Sequence, residues 1–251
     1  MADRPVLWHL QISHYNEKVR WALDYKRIPH TRRSMMPGVH QLFCKRLTGN
    51  VKSPVLTIGD ESIADSTAIL QAIEQRWPDP PLMPENALQR RRALRLEDYF
   101  DEELGPHIRR AVYQELLPHP DAVIPLFTDG APRRSRALLR ASFPVLRVGM
   151  KRYMNIYEEP AMRSRAKTVE ALDTLEKELG DKDYLVGGSF SVADLTAASL
   201  FYPLALPPEF PYTSPTWESM PEGAREFLGA LHERPGAQWV AEMYRRHRLP
   251  A

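Results

Sequence analysis

Along the chain, the spacing of apolar positions changes character twice. Val6-Leu7-Trp8-His9-Leu10 is a short apolar run of strand length, and Ile12 to Leu23 behind it takes up helical spacing. In that helix Tyr15, Val19, Ala22 and Leu23 fall at i, i+4, i+7 and i+8, the pattern of one buried stripe. Lys18, Arg20, Asp24 and Lys26 fall largely outside it. Ser13 stands at the helix start, where free N–H groups and the positive dipole end favour an anion. Arg27 to Arg32 predicts a short extended segment, and 37–49 an irregular helix. Val51 to Ile58 reads as a strand entered through Pro54, Gly59-Asp60 as a turn, and Ser62-Ile63-Ala64 as its partner strand. Asp65-Ser66 then caps a helix with Ile69, Leu70, Ile73 and Trp77 on its apolar face. The order is β-α-β-(α)-β-β-α, complete by Trp77.

Pro78-Asp79-Pro80-Pro81-Leu82-Met83-Pro84 breaks the pattern, because four prolines in seven residues cannot continue a helix. The domain boundary is placed there: 1–79, a connector over 80–86, and 87–251. Beyond it the spacing is helical, over about 88–117, 133–157, 160–180, 191–203 and 221–247. Prolines interrupt it between Leu116 and Arg133 and between Leu206 and Pro221. Phe190-Ser191-Val192-Ala193-Asp194-Leu195 reads as a capping box with flanking apolar residues, so Asp194 is a folding signal rather than a catalyst.

Composition narrows the function classes. The 251 residues carry a net charge of only +2, short of the footprint of a nucleic-acid binder, and no apolar run has the length of a membrane span. The arginines Arg90, Arg91, Arg92 and Arg95 read as a solvated helix face. Cys44 is the single cysteine, so no intrachain disulfide and no thiolate zinc site can form, and the eight histidines lack metal-ligand spacing. Met1 to Pro5 lacks the apolar core of a signal peptide, and the expected setting is the cytoplasm. There is no G-x-G-x-x-G, P-loop, G-x-S-x-G or H-E-x-x-H motif.

Taken singly, Ser13 is a helix cap, Pro54 a strand-edge proline and Asp65 another cap. Taken together, Ser13 to Arg20, Lys52-Ser53-Pro54-Val55-Leu56, Asp65-Ser66-Thr67-Ala68-Ile69 and Phe190 to Asp194 resemble the glutathione S-transferase family over nearly the whole chain. The resemblance implies an α/β thioredoxin-like N-terminal domain followed by an all-α C-terminal helical bundle. It implies a cis peptide before Pro54, with the Ser53 backbone pairing with glutathione as an added strand. It implies that Ser66 and Asp65 hold the γ-glutamyl carboxylate and amino group, and that Lys52 attracts the glycyl carboxylate, with His40 a second candidate.

By the same resemblance Ser13 is the catalytic residue, donating its O–H to the glutathione sulfur, with Tyr15 a competitor that also reads as core. Glutathione is then the co-substrate, with no metal, and the partner is a small hydrophobic electrophile. Tyr99, His107, Tyr113, Tyr153 and Tyr157 are candidates for its pocket. Ser13 and Asn16 stand where glutaredoxin-like relatives carry cysteines, so disulfide exchange through an enzyme cysteine is not expected. The implied protein is a homodimeric detoxification enzyme, binding neither nucleic acid nor membrane. A non-catalytic thiol-binding or scaffold relative, and a glutathione-dependent isomerase or dehalogenase, share the same features.

Overall fold

A computed structural model describes residues 4–248, so the expectation for Met1-Ala2-Asp3 lies outside the described residues. Strands β1 (Val6–His9), β2 (Thr31–Ser34), β3 (Val55–Ile58) and β4 (Glu61–Ala64) form one sheet in the order β2-β1-β3-β4. β1 runs parallel to β2, with Val6 opposite Thr31, and antiparallel to β3, with Leu7 opposite Leu56. β3 and β4 close as a hairpin through Gly59-Asp60. Helices α1 (His14–Tyr25), α2 (His40–Thr48) and α3 (Ser66–Arg76) complete this half. The third strand is shorter than its apolar run, since Val51 to Pro54 lies outside the ladder.

The second half is helical: α4 (Ala87–Tyr99), a π-helical turn (Phe100–Leu104), α5 (Gly105–Leu116), α6 (Pro120–Phe127), α7 (Arg133–Tyr153), α8 (Glu158–Leu179), α9 (Val192–Ala205), α10 (Glu222–His232) and α11 (Pro235–His247). Two differences from the sequence pattern stand out. The proline-rich interruption holds α6, because Pro120 occupies its first position, where a missing N–H costs nothing. The last helix is two, separated by Glu233-Arg234, with Pro235 starting α11 in the same way.

The buried core is continuous across the two halves. α1 packs on α3 on one side and on α9 on the other, so little of it is left for solvent. The stripe pattern fails there: Lys18, Arg20 and Lys26 are buried, not outside the packed surface. Each cation is satisfied in place. Lys18 Nζ is 2.5 Å from Glu97 and 2.6 Å from Asp101, across the junction between the halves. Lys26 Nζ donates to the carbonyls of Trp77, Pro78 and Pro80, clamping the connector that carries no helix or strand over 77–86.

The capping box at α9 is present. Asp194 is fully buried and accepts from the N–H groups of Leu185 and Ser191 and from the Ser191 hydroxyl, at 2.7–2.9 Å. Asp194→Asn turns an NH2 toward one of these donors and leaves it unsatisfied. The expected loss is about 1–3 kcal/mol in urea unfolding, and an unchanged midpoint would refute the box as a stabilising element.

Candidate active site

The β1–α1 loop is fixed from below by two buried polar side chains that the apolar pattern does not mark. The Arg20 guanidinium donates to Leu10 O at 3.1 Å and Gln11 O at 2.9 Å, to His9 Nδ1 at 3.0 Å and to Glu17 at 2.7 Å. Asn16, also fully buried, takes the Leu10 N–H on Oδ1 at 2.9 Å. Because that N–H can only donate, the amide orientation is determined, and Nδ2 faces the Ser13 hydroxyl.

Ser13 occupies the N-cap position of α1, with extended backbone, yet its side chain makes no bond to the helix N–H groups. The capping role read from sequence is therefore carried by the backbone alone. Its Oγ accepts from Asn16 Nδ2 at 2.7 Å, and the same nitrogen lies 3.4 Å from the Ser53 hydroxyl. A hydroxyl that accepts one bond keeps its own proton to donate. Among the described residues that proton goes to no protein acceptor.

Ser53-Pro54 is cis, two residues ahead of the β3 ladder, and Ser53 lines the same cleft as Ser13. Asp65 caps α3, its carboxylate accepting the Thr67 N–H at 3.1 Å, while its φ of 81° is a backbone conformation that non-glycine residues rarely take. Strain of this kind is kept where local geometry serves a site. Ser66 follows at the helix N-terminus, buried at the cleft edge. Lys52 Nζ pairs with Asp65 at 3.0 Å, both side chains being solvent-exposed. His40 also lines the cleft, and burial lowers its pKa.

Tyr15 is committed elsewhere. Its hydroxyl donates to Asp101 O at 2.8 Å, and burial raises its pKa well above the ordinary phenol value. Gly105 makes room for it, since a Cβ there would collide with the Tyr15 ring and hydroxyl. His14 is equally occupied, its Nε2–H donating to Gly105 O at 2.9 Å. Burial, helped by Arg109, lowers the His14 pKa to about 3; burial, helped by Arg20, lowers that of His9 to about 2.

Both histidines are thus neutral when folded and bind protons below about pH 6.5 only when unfolded. Their contribution to stability is full above that pH and falls as the pH drops toward the folded-state values, by about 1.4 kcal/mol per pH unit for each. Urea midpoints measured from pH 7 to pH 5 should fall accordingly, and His14→Gln should shallow the slope. An identical slope in the variant would contradict the neutral His14.

The cleft between the halves has a volume of ≈ 600 Å³. Its polar end gathers Ser13, Lys52, Ser53, Asp65 and Ser66, with Asp101 and Glu102 from the π-helical turn facing them. Its other end is walled by apolar residues of α5, α6 and α7, among them Ile108, Val112, Phe127 and Met150. Of the aromatic candidates, Tyr113 and Tyr153 line it and Tyr99, His107 and Tyr157 do not. Tyr99 and His107 turn toward α8, bonding Thr174 and Ser164 at 3.0 Å, and Tyr157 lies under Lys151 at the surface. Helical periodicity separates them, since only one face of the segment from α4 to α5 sees the cleft.

A small mixed sheet with its helices, a helical bundle and a cleft at their junction define a two-domain, thioredoxin-like plus all-helical architecture. The pattern of the family described as Glutathione S-transferase, N-terminal domain matches residues 7–81, and that of Glutathione S-transferase, C-terminal domain matches 134–230. The chain belongs to the glutathione S-transferase family. Glutathione S-transferase U24 of Arabidopsis thaliana is 24% identical over 199 residues, which cover 78% of this chain and 71% of that one. A probable glutathione S-transferase of Glycine max is 20% identical, covering 70% of this chain and 62% of that one.

Among solved structures, a beta-etherase from Sphingobium sp. superposes with a TM-score of 0.64 at 18% identity, over 96% of this chain and 99% of that one. A glutathione S-transferase from Methylobacterium radiotolerans, in complex with glutathione sulfonate, gives 0.58 at 21% identity over 95% of both. No described helix is long and apolar enough to cross a membrane, and no group of described residues is arranged to hold a metal.

Proposed function

We propose that this protein is a glutathione transferase of the serine type, joining the glutathione thiolate to a small, largely hydrophobic electrophile. One observation carries the reading: the Ser13 hydroxyl is oriented by Asn16 as an acceptor, so its proton is left to donate into the cleft. The remaining groups fit the tripeptide. Ser66 and the N–H groups of the first turn of α3 suit the γ-glutamyl carboxylate, and Asp65 its ammonium. The Ser53 backbone suits the cysteinyl peptide as an added strand.

Lys52 suits the glycyl carboxylate. Its exposed pair with Asp65 is worth about 0–1 kcal/mol, so exchanging partners costs little. In the reaction the thiolate sulfur forms a bond to an electrophilic carbon held against the apolar wall, and the leaving group departs with its electron pair. The same reading includes a cytoplasmic homodimer. The exposed apolar side chains Leu138, Val145 and Val148 on α7 are available for such a contact.

Calorimetric titration of glutathione, followed by loss of thiol on adding a chlorodinitrobenzene, tests the reading. Binding with stoichiometric thiol consumption supports it. Binding without turnover points to the non-catalytic relative, and absence of binding excludes glutathione as the thiol. Light scattering at two protein concentrations tests the dimer, a monomer mass at both excluding it.

A further inference from the structure

Arg109 projects from α5 into the wall of the cleft. Among the described residues its guanidinium makes no hydrogen bond and no ion pair, and its Nε is buried without a partner. Its one contact as a cation is the Tyr15 ring, whose centroid lies 5.9 Å from Cζ. Among the described residues the one other lysine or arginine lining the cleft, Lys52, is paired with Asp65. Lys18 and Arg20, beneath the site, are held by three and four hydrogen bonds respectively.

A guanidinium offers five donors, accepts nothing and keeps its charge at any working pH. The Arg109 Nε, buried without a partner, costs free energy that a carboxylate ligand returns, because the flat fork matches two carboxylate oxygens. His14, Tyr15 and Tyr113 are the polar side chains near it, none of them an anionic partner, and Ile108, Val112, Leu116, Phe127 and Met150 supply the apolar surface around it.

We propose that Arg109 is a specificity-determining residue that selects electrophiles bearing a carboxylate. The guanidinium seats that group while the apolar wall takes the carbon skeleton. This makes the second substrate an amphiphilic acid rather than a purely hydrophobic molecule. The identity of the pocket as the electrophile's seat rests on the transferase reading; the preference for a carboxylate is measurable without it.

The probes are phenylbutanoate and its neutral analogue phenylbutanamide, which differ in the charged group alone. Both are titrated calorimetrically into wild type, Arg109→Met, Arg109→Lys and Lys52→Met, each first shown by thermal melting to be folded. Wild type is expected to bind the acid about tenfold to a hundredfold tighter than the amide, the range of a hydrogen bond to a charged group. In Arg109→Met the ratio falls to about one, Arg109→Lys keeps part of it, and Lys52→Met keeps it whole.

Equal affinities in wild type would overturn the proposal, and so would a ratio that survives in Arg109→Met or disappears in Lys52→Met. Glutathione is titrated into the same proteins. Failure of wild type to bind it sinks the transferase reading, while the acid-to-amide ratio still decides the role of Arg109. A bound-thiol pKa that rises in Arg109→Met with the ratio intact would make Arg109 a thiolate-stabilising group and overturn the proposal.

Discussion

Ser13→Ala is expected to lower kcat/KM for the electrophile at pH 7, with glutathione saturating, by about 8- to 25-fold. The magnitude follows from the chemistry of the thiol. A free thiol has a pKa of about 8.5, and a hydrogen bond to a charged acceptor contributes roughly 1.5–3 kcal/mol. At about 1.4 kcal/mol per pKa unit, that bond lowers the thiol pKa by about one to two units. The α1 N-terminus adds about 0.3–1 kcal/mol and survives the substitution, since it belongs to the backbone. The loss should therefore shrink as the pH is raised above the pKa of the free thiol, where thiolate forms without help. A loss that is equally large at pH 7 and pH 9.5 would assign Ser13 to positioning and not to the thiolate. The loop keeps its other anchors in the variant, since Asn16 Oδ1 still holds Leu10 N–H and Arg20 still holds the Leu10 and Gln11 carbonyls.

Lys18→Met has the largest expected effect on stability. Lys18 Nζ donates to Glu97, Asp101 and the Thr67 hydroxyl, and the lysine side chain is wholly buried. Removing it strands two carboxylates at the junction of the halves, where burial already raises the pKa of Asp101 against the pull of Lys18. Breaking a buried pair in this way costs about 3–5 kcal/mol. For a chain of this size that is a fall in Tm of about 6–20 °C. Neutralising the acids as well, in Lys18→Met with Glu97→Gln and Asp101→Asn, should recover part of the loss, because amides need less compensation than charges. A single variant that melts within about 2 °C of wild type would show that the network contributes little.

The architecture was legible from sequence because its signals are local. Alternating and helical spacing, the prolines of 78–84 and the box at Ser191 each act within a few residues. The π-helical turn at Phe100–Leu104, the split at Pro235 and helix α6 were not legible, since each depends on packing or on a proline used as a helix start.

Of the candidate site, Ser13, Lys52, Ser53, Asp65 and Ser66 were legible as lining one cleft because four weak motifs stand in order along the chain. Asn16, Lys18 and Arg20 were missed for a common reason. A polar residue on a helix predicts exposure unless something far along the chain covers it. Here α9, Glu97 and Arg248 do so, Arg248 reaching Glu17 at 2.6 Å from far along the chain. Of the aromatic candidates, Tyr113 and Tyr153 line the cleft, while Tyr99 and His107 share a segment with it but not a face.

The central claim is that the Ser13 hydroxyl turns a bound thiol into a thiolate. Its most direct test is the ultraviolet absorbance of thiolate as glutathione bound to the wild-type protein is titrated with pH. A bound-thiol pKa of about 6.5–7.5 is expected, one to two units below the free value, returning toward that value in Ser13→Ala. A bound thiol that titrates near 8.5 in the wild type would contradict it.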